Sequence, residues 1–477
     1  MNNIGFSGIG SGIPIDDIVK ATVNAEAVPL VRLDKQKKLA NEQISAFSAM
    51  ASRLDALASA MNKLKGPENF ELLKSTSSND KLFTATANHR NGATAGQYDI
   101  KVISEAKAYR WTSEEVDKTT QLTGEFTVGD KTFNIEDVLE EDKRSLDDLR
   151  AYINKEFGKE VSASLVNVGG DQARLVLTSK KTGEEGRLGV SSTALATDAA
   201  LTSKPEFDPA DPDNTERLDA HIKINDIDAY SSTNTFKEVV SGVTITLAQG
   251  ASLQSNKSAN LTVARDDAEI KNRIDNFIKA YNDVVIHLNE AKKGPLAGEG
   301  VIRAVESVLR DTLYTPTGGD GNLENTLNSL GIGTFVERGW EAGSEASSRN
   351  GTLEITDQER FNNVLENDFE RLAFIFGDEE TGYAARFEQA AKRLTSDTVE
   401  NGQIAQGLIP MRRKGLNAEI KRLDERIEST NARLDLLEAR LYKQFNAVDA
   451  MIANFNSTGN YLTQQFANLP GYTRPKK

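Results

Sequence analysis

A single stretch near the C-terminus limits what this chain can become. Every seventh residue from Ile420 is apolar: Ile427, Leu434, Leu441, Val448, Phe455, Leu462 and Leu469. The companion row reads Leu416, Leu423, Thr430, Leu437, Gln444, Met451 and Thr458. This is a heptad seam, full in one row and leaky in the other. No proline interrupts it between Met411 and Leu469. A helix from about Met411 to Asn456 would run roughly 70 Å at 1.5 Å per residue. A rod of that length exceeds one compact core, so its stripe requires a partner from the chain's other end, another subunit, or both.

The other end offers one. Pro14 suits a first helical turn, with Asp16 and Asp17 at the positive end of the helix dipole. Ile15, Ile18, Val19, Thr22 and Val23 share a face. Pro29 is expected to break or kink that helix. A second heptad run follows, with Leu33, Ala40, Phe47, Leu54 and Met61 in one row and Leu30, Lys37, Ile44, Ala51 and Ala58 in the other. Gly66-Pro67 stops it. The economical expectation is that the two ends pack together as a stalk. Upstream, Gly5 to Gly12 is glycine- and serine-rich and is expected to be flexible when unpartnered.

Between the ends the period changes to two. Segments 82–87, 98–102, 126–128, 132–135, 161–168, 174–178, 221–224 and 243–247 read as strands. Ser145 opens a short helix whose apolar face is Leu146, Leu149, Tyr152 and Ile153. The acidic, proline-rich stretch Pro205 to Asn214 marks a loop or lobe boundary. Helical period returns after Arg265, and Thr356-x-x-Glu359 reads as a capping box before Phe361. The expected fold class is therefore α+β and multidomain. Long coiled-coil-like terminal helices form a stalk, with a helical midsection and an inserted β-rich head of two lobes. The boundaries are 1–74 for the N-terminal leg and 75–265 for the head. Within the head, an inner lobe of about 111–214 sits inside a discontinuous outer lobe, 75–110 and 215–265. The midsection is 266–410, and 411–477 is the C-terminal leg and tail.

Signs of reaction chemistry are few. His89, His221 and His287 are scattered without metal-ligand spacing. Gly124 to Thr132 (GEFTVGDKT) mimics a phosphate loop, but Asp130 precedes Lys131, so a hairpin turn is the better reading. Thr317 to Asn322 has the glycines of a calcium turn but one carboxylate, Asp320. Asp208, Asp211 and Asp213 read as solvated loop charges. No G-x-S-x-G elbow is present. No catalytic residue, cofactor or metal is expected, and the chain is not read as an enzyme. Cysteine is absent, which removes disulfides and thiolate metal sites. The net charge of −14 disfavours a nucleic-acid partner, and the basic tail residues Arg474, Lys476 and Lys477 are too few to reverse that. No apolar run reaches membrane-spanning length, and no cleaved secretory signal is visible at the N-terminus.

Several stretches in one order carry a family resemblance. GSGIPIDDI (10–18), Ala25-Glu26 and Pro29-Leu30 form an N-terminal signature. GQYDIKVISEAKA (96–108), SLDDLRAYIN (145–154), LVLTSKKTG (175–183) and NTFKEVVSGVTITL (234–247) follow in the head. Ala280-Tyr281-Asn282, GPLAG (294–298), 327–332, 351–357 and YLTQQF (461–466) complete the series. With NGQIAQGLIP (401–410) as a local departure, the chain resembles the flagellar hook-associated protein 2 family, the caps of bacterial flagellar filaments. The resemblance implies export through the flagellar secretion channel without a cleaved signal, and a place at the flagellar tip outside the cell. It implies a ring homo-oligomer of five or six copies, with flagellin and a flagellar export chaperone as further partners. The candidate leg and oligomer contacts are Ile15, Ile18, Val19, Leu30, Leu33, Ile44, Phe47, Leu54, Ile420, Leu423, Ile427, Leu434, Leu437, Leu441, Val448, Phe455 and Leu462. The alternative is a surface adhesin whose head binds host glycoconjugates such as surface glycans or mucin.

Overall fold

The computed structural model describes residues 12–196, 217–254, 256–336, 348–397, 399–400, 403–404 and 406–468. The glycine-rich segment up to residue 11, Asp208, Asp211 and Asp213, Leu469 and the basic tail lie outside these residues. The chain opens with helices α1 (Ile15–Glu26) and α2 (Val28–Asn62). A β-rich middle carries α3 (Ile135–Val138) and α4 (Leu146–Glu156). Helix then returns as α5 (Asp267–Ala291), α6 (Gly300–Tyr314), α7 (Gln358–Asn367), α8 (Phe369–Gly377), α9 (Tyr383–Thr395) and the 60-residue α10 (Leu408–Ala467). Contacts divide the chain into two units, Phe70–Ile270 and the remainder.

In the helical unit, Pro29 does not kink a helix. It sits in the first turn of α2, where a missing N–H is harmless, and the break falls one residue wide at Ala27. The predicted α2 row Leu33, Ala40, Phe47, Leu54 and Met61 is buried throughout. A second buried row, Met50, Leu57 and Leu64, was not predicted. Two rows are required because α2 packs along both α9 and α10. Residues 271–410 and the terminal helices, separate segments in the sequence reading, fall in one unit. An aromatic cluster joins α5, α8 and α9: Phe277 lies 5.8 Å from Phe376 and 5.6 Å from Phe387, centroid to centroid. The N-cap of α7 is Asp357, whose side chain accepts from the Arg360 N–H. Thr356, the expected cap, instead donates its hydroxyl to the Gly331 carbonyl. Helix α10 begins at Leu408, ahead of the expected Met411, because Pro410 is tolerated in its first turn.

The β-rich unit contains two cores. Strands β1 (Leu73–Ser77), β2 (Phe83–Ala87) and β3 (Gly96–Ser104) begin the outer lobe. An inner lobe follows with β4 (Ala108–Thr112), β5 (Val116–Asp117), β6 (Glu125–Val128), β7 (Lys131–Asn134), β8 (Val161–Gly169), β9 (Gln172–Thr182) and β10 (Val190–Ser192). Strands β11 (Ala220–Ile224), β12 (Ile227–Ser231), β13 (Thr235–Val240), β14 (Val243–Leu247) and β15 (Ser258–Arg265) complete the outer lobe. Its antiparallel sheets have the orders β1-β15-β3-β11-β12 and β13-β14-β2, and their inward faces bury Ile100, Val102, Ile222, Phe236, Ile245 and Leu261. The inner lobe buries Trp111, Phe126, Leu146, Leu149, Ile153 and Leu175 around β9 and α4. Ser145 caps α4 through a reciprocal pair with Asp148. The GEFTVGDKT stretch is the β6–β7 hairpin, turning at Gly129-Asp130 with Val128 opposite Lys131.

Candidate assembly surface on the terminal helices

Helices α1 and α2 run antiparallel to α10, and polar contacts fix the register. As the chain advances through Asp16, Glu26 and Lys37, its partners on α10 retreat through Tyr442, Arg433 and Asp424. Lys37 Nζ lies 2.7 Å from Asp424 Oδ1, and Arg433 Nη2 lies 3.7 Å from Glu26 Oε2. Both pairs are largely exposed, so each contributes about 0–1 kcal/mol and sets alignment more than stability. Burial, with the Asp16 carboxylate beside it, raises the Tyr442 hydroxyl above the usual tyrosine range. The start of α10 is held more firmly. Arg412 donates from Nε to Glu299 Oε2 (2.9 Å) and from Nη2 to Glu299 Oε1 (2.7 Å). Gln43 of α2 donates to the same carboxylate and to the Pro295 carbonyl. This charge-assisted fork ties α10 to α2 and to the turn before α6.

The candidate contact residues separate into three groups. Phe47 and Leu54 are wholly buried, with Leu33 and Leu423 nearly so. They lie in the interior of the helical unit, where α2, α9 and α10 pack together. Ile15, Val19 and Leu434 are also buried, at the junction where α1 meets α10. Ile18, Leu30, Ile44, Ile420, Ile427, Leu437 and Leu441 are half-buried along the edges of that pairing. Val448, Phe455 and Leu462 are exposed.

The transition has a geometric cause. Helix α1 starts at Ile15, opposite Tyr442, while α10 continues to Ala467. Roughly 37 Å of α10 therefore extends past the α1 pairing, at 1.5 Å per residue. Along it the heptad row stays apolar, and Met451, Tyr461 and Phe466 add to the exposed surface. Phe455 is 67% exposed. A continuous apolar stripe of this kind marks an interaction surface. The leaky row matches it: Thr430 is half-buried and Gln444 exposed.

Elsewhere, His89 pairs with Glu71, His221 with Asp228, and His287 lies near the Ala46 carbonyl. Among the described residues, no group of three His, Cys, Asp or Glu side chains could hold a metal ion. None of the described helices is long and apolar enough to cross a membrane.

Two family models match the chain. One described as flagellar hook-associated protein 2 C-terminus covers residues 218–457, and one described as the N-terminus of the same protein covers 11–109. The chain belongs to the flagellar hook-associated protein 2 family. Among its relatives, the A-type flagellar hook-associated protein 2 of Pseudomonas aeruginosa is 26% identical over 99% of both chains. The flagellar hook-associated protein 2 of Xenorhabdus nematophila is 25% identical over 97% of this chain and 99% of its own. The crystal structure of the D1-D2-D3 domains of the Escherichia coli flagellar cap protein FliD aligns with 78% of this chain and 99% of that one, at 25% identity and a TM-score of 0.55. Nothing in these comparisons supports the adhesin alternative.

Proposed function

We propose that this chain is a structural cap at the distal end of a bacterial flagellar filament. Copies assemble into a ring, retain flagellin and guide its polymerisation as the filament lengthens. The chain reaches that position by export through the flagellum, escorted beforehand by an export chaperone, and its role there is mechanical rather than catalytic. The observation that carries this reading, beside the family membership, is the open end of α10. Its seam is filled by α1 and α2 over one half and left bare over Val448, Phe455 and Leu462. A cap must grip subunits and release them repeatedly. An apolar stripe with a leaky second row suits contact that forms and breaks. Ring copy number and the flagellin-facing residues belong to the same proposal, with five or six copies as the expectation.

The test adds purified protein to cells lacking their cap. Flagellin leakage into the medium should stop and filaments should lengthen. Continued leakage, with the protein folded and present at the filament tip, overturns the reading.

A further inference from the structure

Two features with no place in the seam complement each other in size and charge. The first is a cavity of about 120 Å³ in the groove between α5 and α6. Its apolar floor is Leu288, Leu309 and Leu313, all buried. Tyr281 lines it and is 4% exposed, and no hydrogen bond to its hydroxyl is found among the described residues. On the rim stands Arg310, exposed and without an ion pair among the described residues. An unpaired guanidinium beside an apolar hole suits an apolar side chain with a carboxylate next to it.

The second feature is the β11–β12 turn. Asn225 and Asp226 both take positive φ, +47° and +67°, as a two-residue type I′ turn requires. Asn225 is pinned on both sides: its N–H donates to the Asp99 carbonyl (2.9 Å) and its Oδ1 accepts from the Asp99 N–H (2.8 Å). Asp228 is held by His221 Nε2 at 2.6 Å and Lys223 Nζ at 3.5 Å. Between them Ile227 is 72% exposed, and Asp226 has no ion-pair partner among the described residues. The turn is thus a rigid apolar knob with one free carboxylate, and its rigidity lowers the entropic cost of docking.

We infer that the Asp226–Ile227 turn of one copy docks in the α5–α6 cavity of another copy, with Ile227 on the leucine floor and Asp226 paired to Arg310. The cavity admits one branched side chain, which matches a single isoleucine. Knob and hole occupy different surfaces of the same chain. The contact is therefore heterologous, the class that closes into rings. The inference rests on the reading of the chain as a ring-forming cap.

The absence of cysteine makes the test direct. One preparation carries Ile227→Cys, a second carries Tyr314→Cys on the exposed cavity rim, and the two are mixed and oxidised. A mixed disulfide dimer is expected, well above the yield of Ile227→Cys mixed with Ser59→Cys on α2. Adding Arg310→Glu to the rim variant should abolish it, and pairing that with Asp226→Arg on the knob variant should restore it. A yield equal to the control, under conditions where the wild-type chain sediments as an oligomer, overturns the contact and leaves the cap reading intact. Equal dimerisation of Ile227→Cys alone also overturns it, since that contact would be isologous. A charge-dependent mixed dimer from a protein that fails to restore filaments upholds the contact and removes the cap reading.

Discussion

The two halves of the α10 seam should respond oppositely to alanine. Leu434 is 6% exposed where α1 meets α10. Leu434→Ala leaves a gap there and should destabilise the helical unit by about 2–3 kcal/mol, at the low end for buried leucine because the site lies near a helix-pair edge. Phe455 has two-thirds of its surface in solvent. Phe455→Ala should change stability by less than about 0.5 kcal/mol, since little packing is lost and alanine has the higher helix propensity. Assembly reverses the order of importance. Two-thirds of a side chain of roughly 200 Å², covered at about 25 cal/mol per Å², contributes about 3 kcal/mol. Losing it should weaken attachment at the filament tip by about a hundredfold. Urea unfolding followed by circular dichroism reads the first effect, and filament length in a cap-deficient strain reads the second. If Phe455→Ala destabilises the isolated protein as much as Leu434→Ala, the stripe is already covered within the free chain and the reasoning fails. If it is neutral in both assays, the stripe takes no part in assembly.

Three further outcomes are expected. Gly242→Ala should destabilise the outer lobe by more than about 1 kcal/mol, because the glycine holds φ +66° and an added Cβ would lie 2.4 Å from the Ala93 nitrogen; thermal melting measures this. Ser145→Ala should cost about 1 kcal/mol by removing the α4 cap, and Ser145→Asp should recover most of it. Hydrogen bonds from Lys392 and Lys65 hold the Glu388 carboxyl below its usual pKa. Its stabilising contribution is therefore present at neutral pH and is lost as pH falls below the ordinary glutamate range towards the lowered folded value. Glu388→Gln should flatten the acid limb of the pH–stability curve there; an unchanged limb counts against this pair of bonds.

Local rules carried much of this structure. The α2 row from Leu33 to Met61 was legible because burial on one helix face repeats every seven residues. The β6–β7 hairpin and the Ser145 cap were legible because turn and cap chemistry act over a few residues. What escaped depends on partners distant in sequence. Met50, Leu57 and Leu64 look like unremarkable apolar positions in the sequence, yet all three are buried, and α2 packs along α9, more than 300 residues away, as well as α10. The division of the seam into filled and bare halves was equally hidden: Leu434 and Phe455 occupy the same heptad row. Only the point where α1 begins separates their fates. The choice of Asp357 over Thr356 as a cap turned on a tertiary bond from Thr356 to Gly331.

Arg273 Nη1 donates to the carbonyls of both Lys63 (2.9 Å) and Asn69 (3.1 Å). The strand of chain leaving the helical unit is thus stapled to the strand returning to it. To the helical scaffold, the whole segment between behaves as a loop whose ends are already joined. A loop with fixed ends can lengthen, shorten or be exchanged at little cost, since closure entropy grows only slowly with length. A lineage can therefore remodel residues 70–270 without renegotiating the helices, and an engineer can replace them with a foreign domain whose termini lie close together.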